Sequence, residues 1–274
     1  MSISAAQSWG RRLALAGADL RETMRLWRLV LTLSFMDIKL RYRGSLLGPF
    51  WLTLSTAVMI GAIGVLYAGL FHQDIAQYLP YLSISLVFWT FLSTLTAEGG
   101  TSFTAVEGMI RAQRMPFSLH AARVVVRNLF VLAHNLAVIV VVFAIFRVVP
   151  SSAVISVIPA LLLWLVDGMA VCLLLGVFGA RFRDIPPIIA SIVQIAFYVT
   201  PVLWSPTMIM HRHIGRLLVE WNPFYALLQI LRGPLLGLPL EPAAWGVALG
   251  YSALLVVLSA FVFTRARARI TYWV

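Results

Sequence analysis

Residues 35–71 read FMDIKLRYRGSLLGPFWLTLSTAVMIGAIGVLYAGLF: a basic, amphipathic run up to Trp51, then an apolar stretch without a single charge. About 20 such residues cross the hydrocarbon core of a bilayer as a helix. Lipid offers no partner to open backbone groups, so a helix is the form that the stretch must take there. Outward from it, apolar stretches at 50–71, 79–97, 124–146, 154–179, 187–204 and 243–264 predict six transmembrane helices. The chain reads as an all-α integral membrane protein. Its composition agrees: of 274 residues 61% are hydrophobic and 11% charged, too little charge to cover a soluble domain.

The net charge of +11 would point to nucleic acid in a soluble protein. Here the arginines sit at the ends of apolar stretches, where they face lipid phosphates and fix topology, so nucleic acid is not expected as a partner. With a cytoplasmic N-terminus, 17 of the 21 Lys and Arg residues fall in inner segments and only Arg147, Arg212, Arg216 and Arg232 fall outside. That bias predicts both termini in the cytoplasm. The arginine-rich N-terminus does not read as a cleavable signal peptide, so the first span should act as an uncleaved anchor.

Residues 19–44 read as an N-terminal amphipathic interfacial helix and its exit. Arg21, Arg25, Arg28, Thr32 and Lys39 form one stripe, with Leu20, Met24, Trp27, Leu31 and Ile38 well away from it. Gly48-Pro49 reads as the turn into the first span. The segment 205–242 is apolar yet too broken to span, so re-entrant helices outside the membrane are expected between spans five and six. Pro223 suits a first helical turn and Gly233-Pro234 should end that helix.

No catalytic constellation is visible. Lys39 is the one lysine and is followed by Leu40, so a phosphate loop cannot be written anywhere in the chain. No Cys/His cluster has metal-ligand spacing, and Cys172 has no partner for an internal disulfide. Asp167 lies midway along the fourth span, and His134 and Asn135 midway along the third, which predicts polar glue between those helices. Gly246 with Gly250, and Gly61 with Gly64 and Ala68, predict close helix packing.

Four stretches together carry a resemblance. FMDIKLRYRGSLLGPFW (35–51), ARFRDIPPII (180–189), YVTPVLWSP (198–206) and NPFYALLQILRGPLLG (222–237) resemble, in the same order, motifs of type-2 ABC permeases that export polysaccharides. The resemblance extends from about residue 20 to the end, a single permease domain over 1–274. It implies a homodimeric permease in the bacterial inner membrane, paired with two copies of an ABC ATP-binding subunit. ATP and Mg would then reside on that partner, with no cofactor in this chain. The substrate would be a lipid-linked polymer such as O-antigen, capsule or wall teichoic acid.

The resemblance also places a cytoplasmic coupling segment at 98–123, with Glu107, Arg111, Arg114, Met115 and Pro116 as its candidates for docking the ATPase. Lys39, Arg41 and Arg43 would meet the carrier's charged head group or membrane lipids, and Arg181, Arg183 and Asp184 form the short inner-loop motif. Sugar rings stack on aromatic ones, so Trp51, Tyr67, Phe88, Trp89, Phe91, Phe197, Tyr198, Trp221 and Tyr225 are candidate channel-lining residues. Two alternatives stay open on sequence: a type-2 ABC permease for a small hydrophobic drug or lipid, and a membrane-embedded lipid-sugar transferase.

Overall fold

The computed structural model describes residues 8–48 and 50–274. Pro49, and with it half of the expected Gly48-Pro49 turn, lies outside the described residues. In chain order the helices are α1 (Trp9–Arg25), α2 (Trp27–Arg41), α3 (Phe50–Leu70), α4 (Ile75–Gly99), α5 (Glu107–Ala112) and α6 (Phe117–Phe146). They continue with α7 (Val157–Arg181), α8 (Ile185–Val199), α9 (His213–Glu220), α10 (Pro223–Leu235), α11 (Pro242–Ala266) and α12 (Ile270–Trp273). Short 3₁₀ turns make up the rest of the helical structure, and no strand occurs among the described residues.

Among the described residues five helices are long and apolar enough to cross a membrane: α3, α4, α6, and α7 and α11 with the turns that extend them. The stretch expected as span five is α8, with 15 residues. At 1.5 Å per residue that is ~22 Å, short of the ~30 Å core. The chain leaves the helix at Thr200 in an extended conformation.

The expected interfacial helix is two helices, broken at Leu26, whose backbone (φ −88°, ψ 20°) leaves the helical region. Of the two stripes read from the sequence, the buried face takes only Ile38. Ala16, Asp19, Thr23, Val30, Ser34 and Ile38 turn inward, while Met24, Trp27, Leu31 and Phe35 are exposed, as an apolar face offered to lipid would be. Of the inward groups, Ser34 and Asp19 meet backbone. Ser34 Oγ donates to the Arg123 carbonyl at 3.0 Å, and Asp19 accepts from the Ser118 amide at 2.9 Å and the Phe117 amide at 3.2 Å. Those two amides belong to the first turn of α6, whose first N–H groups have no partner within the helix.

α4 is the centre. Within its most apolar stretch 67% is buried, against 17% for α3, and it packs on α3, α6, α7, α8 and α10. Its hydroxyls cost little in that setting because they bond their own helix. Ser85 donates to Tyr81, Thr90 to Leu86 and Thr96 to Leu92, each a carbonyl four residues back, at 2.7–2.8 Å.

Of the glycines expected to pack closely Gly64 does so, and the other tight contacts fall elsewhere. Gly246, Gly250 and Gly61 have open space where a Cβ would stand, and only Gly64 meets a neighbour, Leu79. The tight seam is on α7. A Cβ on Gly179 would lie 1.8 Å from the Gly100 carbonyl oxygen, and one on Gly176 would lie 2.1 Å from Ser102 Oγ. Asp167 also chooses another partner than expected. Its Oδ2 accepts from Ser252 of α11 at 2.7 Å, while His134 turns back to the Phe130 carbonyl.

The segment 205–242 is built of α9 and α10. Asn222 caps α10 by accepting from the Phe224 and Tyr225 amides at 2.9 and 3.2 Å, and Pro223 begins it, as expected. Gly233-Pro234 does not end the helix. Gly237 does, at φ +73°, with the Leu238 amide returning to the Gly233 carbonyl at 2.9 Å.

The α7 seam is testable with Gly179→Ala, which forces backbone apart and is expected to cost about 1–3 kcal/mol. Thermal melting in mild detergent should drop for this variant and hold or rise for Gly246→Ala. Equal melting of the two would refute the seam.

Candidate functional site

The side chains that matter gather at the arginine-rich end. α2 delivers Asp37 and Arg41, the last turn of α4 delivers Glu98, and α6 delivers Arg123, Arg127 and Asn128, one helical turn apart. Asp37 accepts from Arg123 Nε at 2.8 Å and from a second Arg123 nitrogen, the two-pronged geometry suited to a guanidinium. Arg127 bridges, donating to Asp37 at 3.0 Å and to Glu98 at 2.7 Å. Asn128 Nδ2 adds a bond to Glu98 at 2.7 Å, and Arg41 closes the ring to Glu98 at 3.2 Å. Two carboxylates and three guanidiniums thereby lock α2, α4 and α6 together.

Burial opposes the charge on Asp37, and the bonds and charges of Arg123 and Arg127 outweigh it, holding the carboxyl below the usual range. A second lock lies beside it. Asp19, buried in α1, accepts from Arg267 beyond α11 at 2.8 Å. Contacts of α1 with the chain beyond α11 put the two ends of the sequence at the same end of the bundle.

The expected docking residues sit next to this ring. α5 is a six-residue helix, and Glu107, Arg111 and Arg114 are exposed. Arg111 pairs with Glu107 at 2.7 Å and donates to the Val274 carbonyl at 2.8 Å. Met115 is half-buried and Pro116 is buried as the residue that opens α6, so neither offers a surface as expected. Arg123 reaches Met109 of α5 at 3.7 Å while holding Asp37, so one guanidinium touches both the α5 segment and the amphipathic lead-in.

Of the lead-in cations, Arg41 is tied to Glu98, whereas Lys39 and Arg43 are exposed and unpaired among the described residues. Arg183 and Asp184 are exposed in the turn before α8, and Arg181 is exposed at the end of α7, over the rings of Phe182 and Trp273. The aromatic candidates divide. Trp51, Tyr198 and Trp221 are exposed, and Tyr67 and Phe197 are half-buried. Phe88, Trp89, Phe91 and Tyr225 are core. Phe88 and Phe91 pack on Trp164, and Trp89 packs between Phe197 and Phe224. Because their surface is spent on neighbours inside the chain, these four line no path in this structure.

Sequence reasoning passed over Arg232, which it counted among outer topology charges. It is 1% exposed. It donates to Tyr81 Oη at 2.8 Å, Ser85 Oγ at 3.0 Å, the Pro201 carbonyl at 2.8 Å and Gln229 Oε1 at 2.9 Å. Its guanidinium carbon stands 4.4 Å from the Tyr81 ring centroid. Gln229 in turn donates to Glu241 at 3.1 Å, so the nearest carboxylate is reached through an amide. Tyr78 and Tyr81 donate to the carbonyls of Leu203, Pro201 and Trp204, and this pins the extended stretch after α8 to α4. The readable signal was an arginine alone inside an apolar run.

No group of His, Cys, Asp and Glu fit for a metal occurs among the described residues. The ring and the Arg232 cage tie helices together through internal partners, with the buried Arg127 Nε left without one.

The ABC-2 type transporter family model matches residues 28–236. Two curated relatives are both named O-antigen export system permease protein RfbA. The one from Myxococcus xanthus is 24% identical over 208 residues, covering 76% of this chain and 80% of that protein. One from Klebsiella pneumoniae is 22% identical over 205 residues, covering 74% and 78%.

The ionic ring makes stability depend on acid. Asp37 has a lowered folded pKa, so its contribution is complete above the ordinary carboxylate value near 4 and fades as pH falls through the folded value. Asp37→Asn should cost about 3 kcal/mol at neutral pH, because two part-buried arginines lose their shared partner. It should also flatten the acid limb of melting temperature against pH. An unchanged limb would refute the assignment. At the opposite end, Arg232→Lys should lower the melting temperature nearly as much as Arg232→Met, since a point charge cannot serve acceptors spread around a planar fork. Full stability of the lysine variant would show that charge alone suffices there.

Proposed function

The chain belongs to the ABC-2 type transporter family, and from that premise we propose that it is the permease subunit of an exporter that moves a cell-surface polysaccharide across the bacterial inner membrane. The observation that carries this reading is its similarity, along about three-quarters of its length, to permeases named for O-antigen export. The family implies an ABC ATP-binding partner, and a chain whose sole lysine, Lys39, precedes Leu40 has no phosphate loop of its own.

The finer reading goes further. Two copies of the chain pair with two ATP-binding subunits. The arginine-rich end faces the cytoplasm, which the charge bias supports. α8 with the extended stretch behind it completes a sixth crossing, supported by its apolar exposed residues Ile188, Ile192 and Ile195. α9 and α10 form the outer re-entrant segment. The polymer is lipid-linked, its head group met by Lys39 and Arg43, and exposed Trp51, Tyr198 and Trp221 give sugar faces a surface to slide on.

In the mechanism, the ATPase grips Glu107, Arg111 and Arg114 of the coupling segment 98–123. Movement of α5 reaches Arg123 through Met109. Arg123 passes it to Asp37 on α2, and Arg127 and Glu98 pass it to α4. The lead-in that meets the carrier is thus geared to the segment that meets the motor.

Affinity purification from native membranes tests the reading. The wild-type chain should bring down a P-loop ATPase in equal amount, and Arg111→Glu with Arg114→Glu should lower recovery at least tenfold while leaving melting intact. Recovery of no ATPase with the wild type would overturn the exporter reading. Undiminished recovery with the double variant would overturn the placement of the docking surface.

A further inference from the structure

We propose that the pocket between the arginine-rich ends of α7 and α11 holds the phosphate of an anionic phospholipid as a resident of the protein. Phe178 and Arg181 stand one turn apart on α7, and Phe261, Arg265 and Arg269 follow one another at four-residue steps along α11 and the turn beyond it. With Trp273 they line an open space of about 200 Å³. The Arg181 guanidinium is set over the Trp273 ring, 5.4 Å from its centroid.

Other cations of this end, Lys39 and Arg43 among them, are unpaired too, and the pocket differs in gathering three arginines on one space. Arg41, Arg111, Arg123, Arg127 and Arg267 all have a carboxylate within 4 Å. Among the described residues, Arg181, Arg265 and Arg269 have none. Three uncompensated guanidiniums on one space repel, and a lipid phosphodiester offers two charged, non-bridging oxygens that they can share. Inorganic phosphate would need the arginines alone. The apolar stripe of Leu254, Leu258 and Phe261, exposed along α11 and leading into the pocket, selects a ligand with acyl chains. Basic pockets between membrane helices hold anionic lipid heads in this way. The inference rests on the membrane reading of α7 and α11 and not on the transported substrate.

Native mass spectrometry of the protein, purified in mild detergent with the subunits that accompany it, tests the site with four probes: phosphatidylglycerol, phosphatidylcholine, inorganic phosphate and a polyprenyl diphosphate. The wild type should retain phosphatidylglycerol at least tenfold over phosphatidylcholine. The triple variant R181Q/R265Q/R269Q should lose tenfold to about a hundredfold of that retention. R21Q/R25Q/R28Q, which removes as much charge from the lead-in helices, should lose less than threefold. The single variants R181Q, R265Q and R269Q should each lose at least twofold and decide the matter where the triple variant does not fold. Equal retention of the two phospholipids, displacement of phosphatidylglycerol by inorganic phosphate, stronger retention of the polyprenyl diphosphate, or an undiminished triple variant would each overturn the proposal.

Discussion

A charge taken out of water must find its compensation inside the protein, and that constraint shapes both ends of this molecule. At the arginine-rich end the solution is a closed ring in which Asp37 and Glu98 are shared among Arg123, Arg127 and Arg41. At the other end Arg232 is dissolved in two hydroxyls, one carbonyl and one amide, with two aromatic rings beside it. The remaining architecture hangs on these two knots. The first fixes α2 against α4 and α6, and the second fixes α10 and the stretch after α8 against α4.

Between the knots the helices hold by shape. Water cannot drive apolar helices together where lipid surrounds them, so contact area and small residues decide the packing. α7 brings glycines to the loop after α4, letting main chain approach main chain. Asp167 and Ser252 add one polar tie between α7 and α11. The seam and the tie act on opposite sides of α7, which explains why this helix is so much more enclosed than α3.

Much of the fold was legible because hydropathy is local. Residues 50–71, 124–146 and 243–264 announce themselves by composition, and α3, α6 and α11 stand there. Asn222-Pro223 announced the start of α10 because a cap and a first-turn proline act on the next few residues alone. What was misread depended on distant neighbours. Gly237 ends α10 in place of Gly233, Leu26 breaks the lead-in, and Gly179 packs where Gly246 was expected to. Mid-span aromatics such as Phe88 and Trp89 look alike in sequence whether they face a path or a core. Asp37 was quoted inside a basic run, yet its value comes from two arginines some ninety residues away.

The hydroxyls of α4 have a consequence for how the chain is made. Ser85, Thr90 and Thr96 already bond their own backbone, so α4 leaves the ribosome with those groups satisfied. Those hydroxyls need no neighbour before the helix enters lipid, although it ends as the most enclosed of the spans. Arg232 is different: its acceptors on α4 and after α8 lie earlier in the chain than itself. During synthesis the cage is therefore built first and the cation arrives last. The order of the sequence spares the bilayer an arginine with nowhere to go.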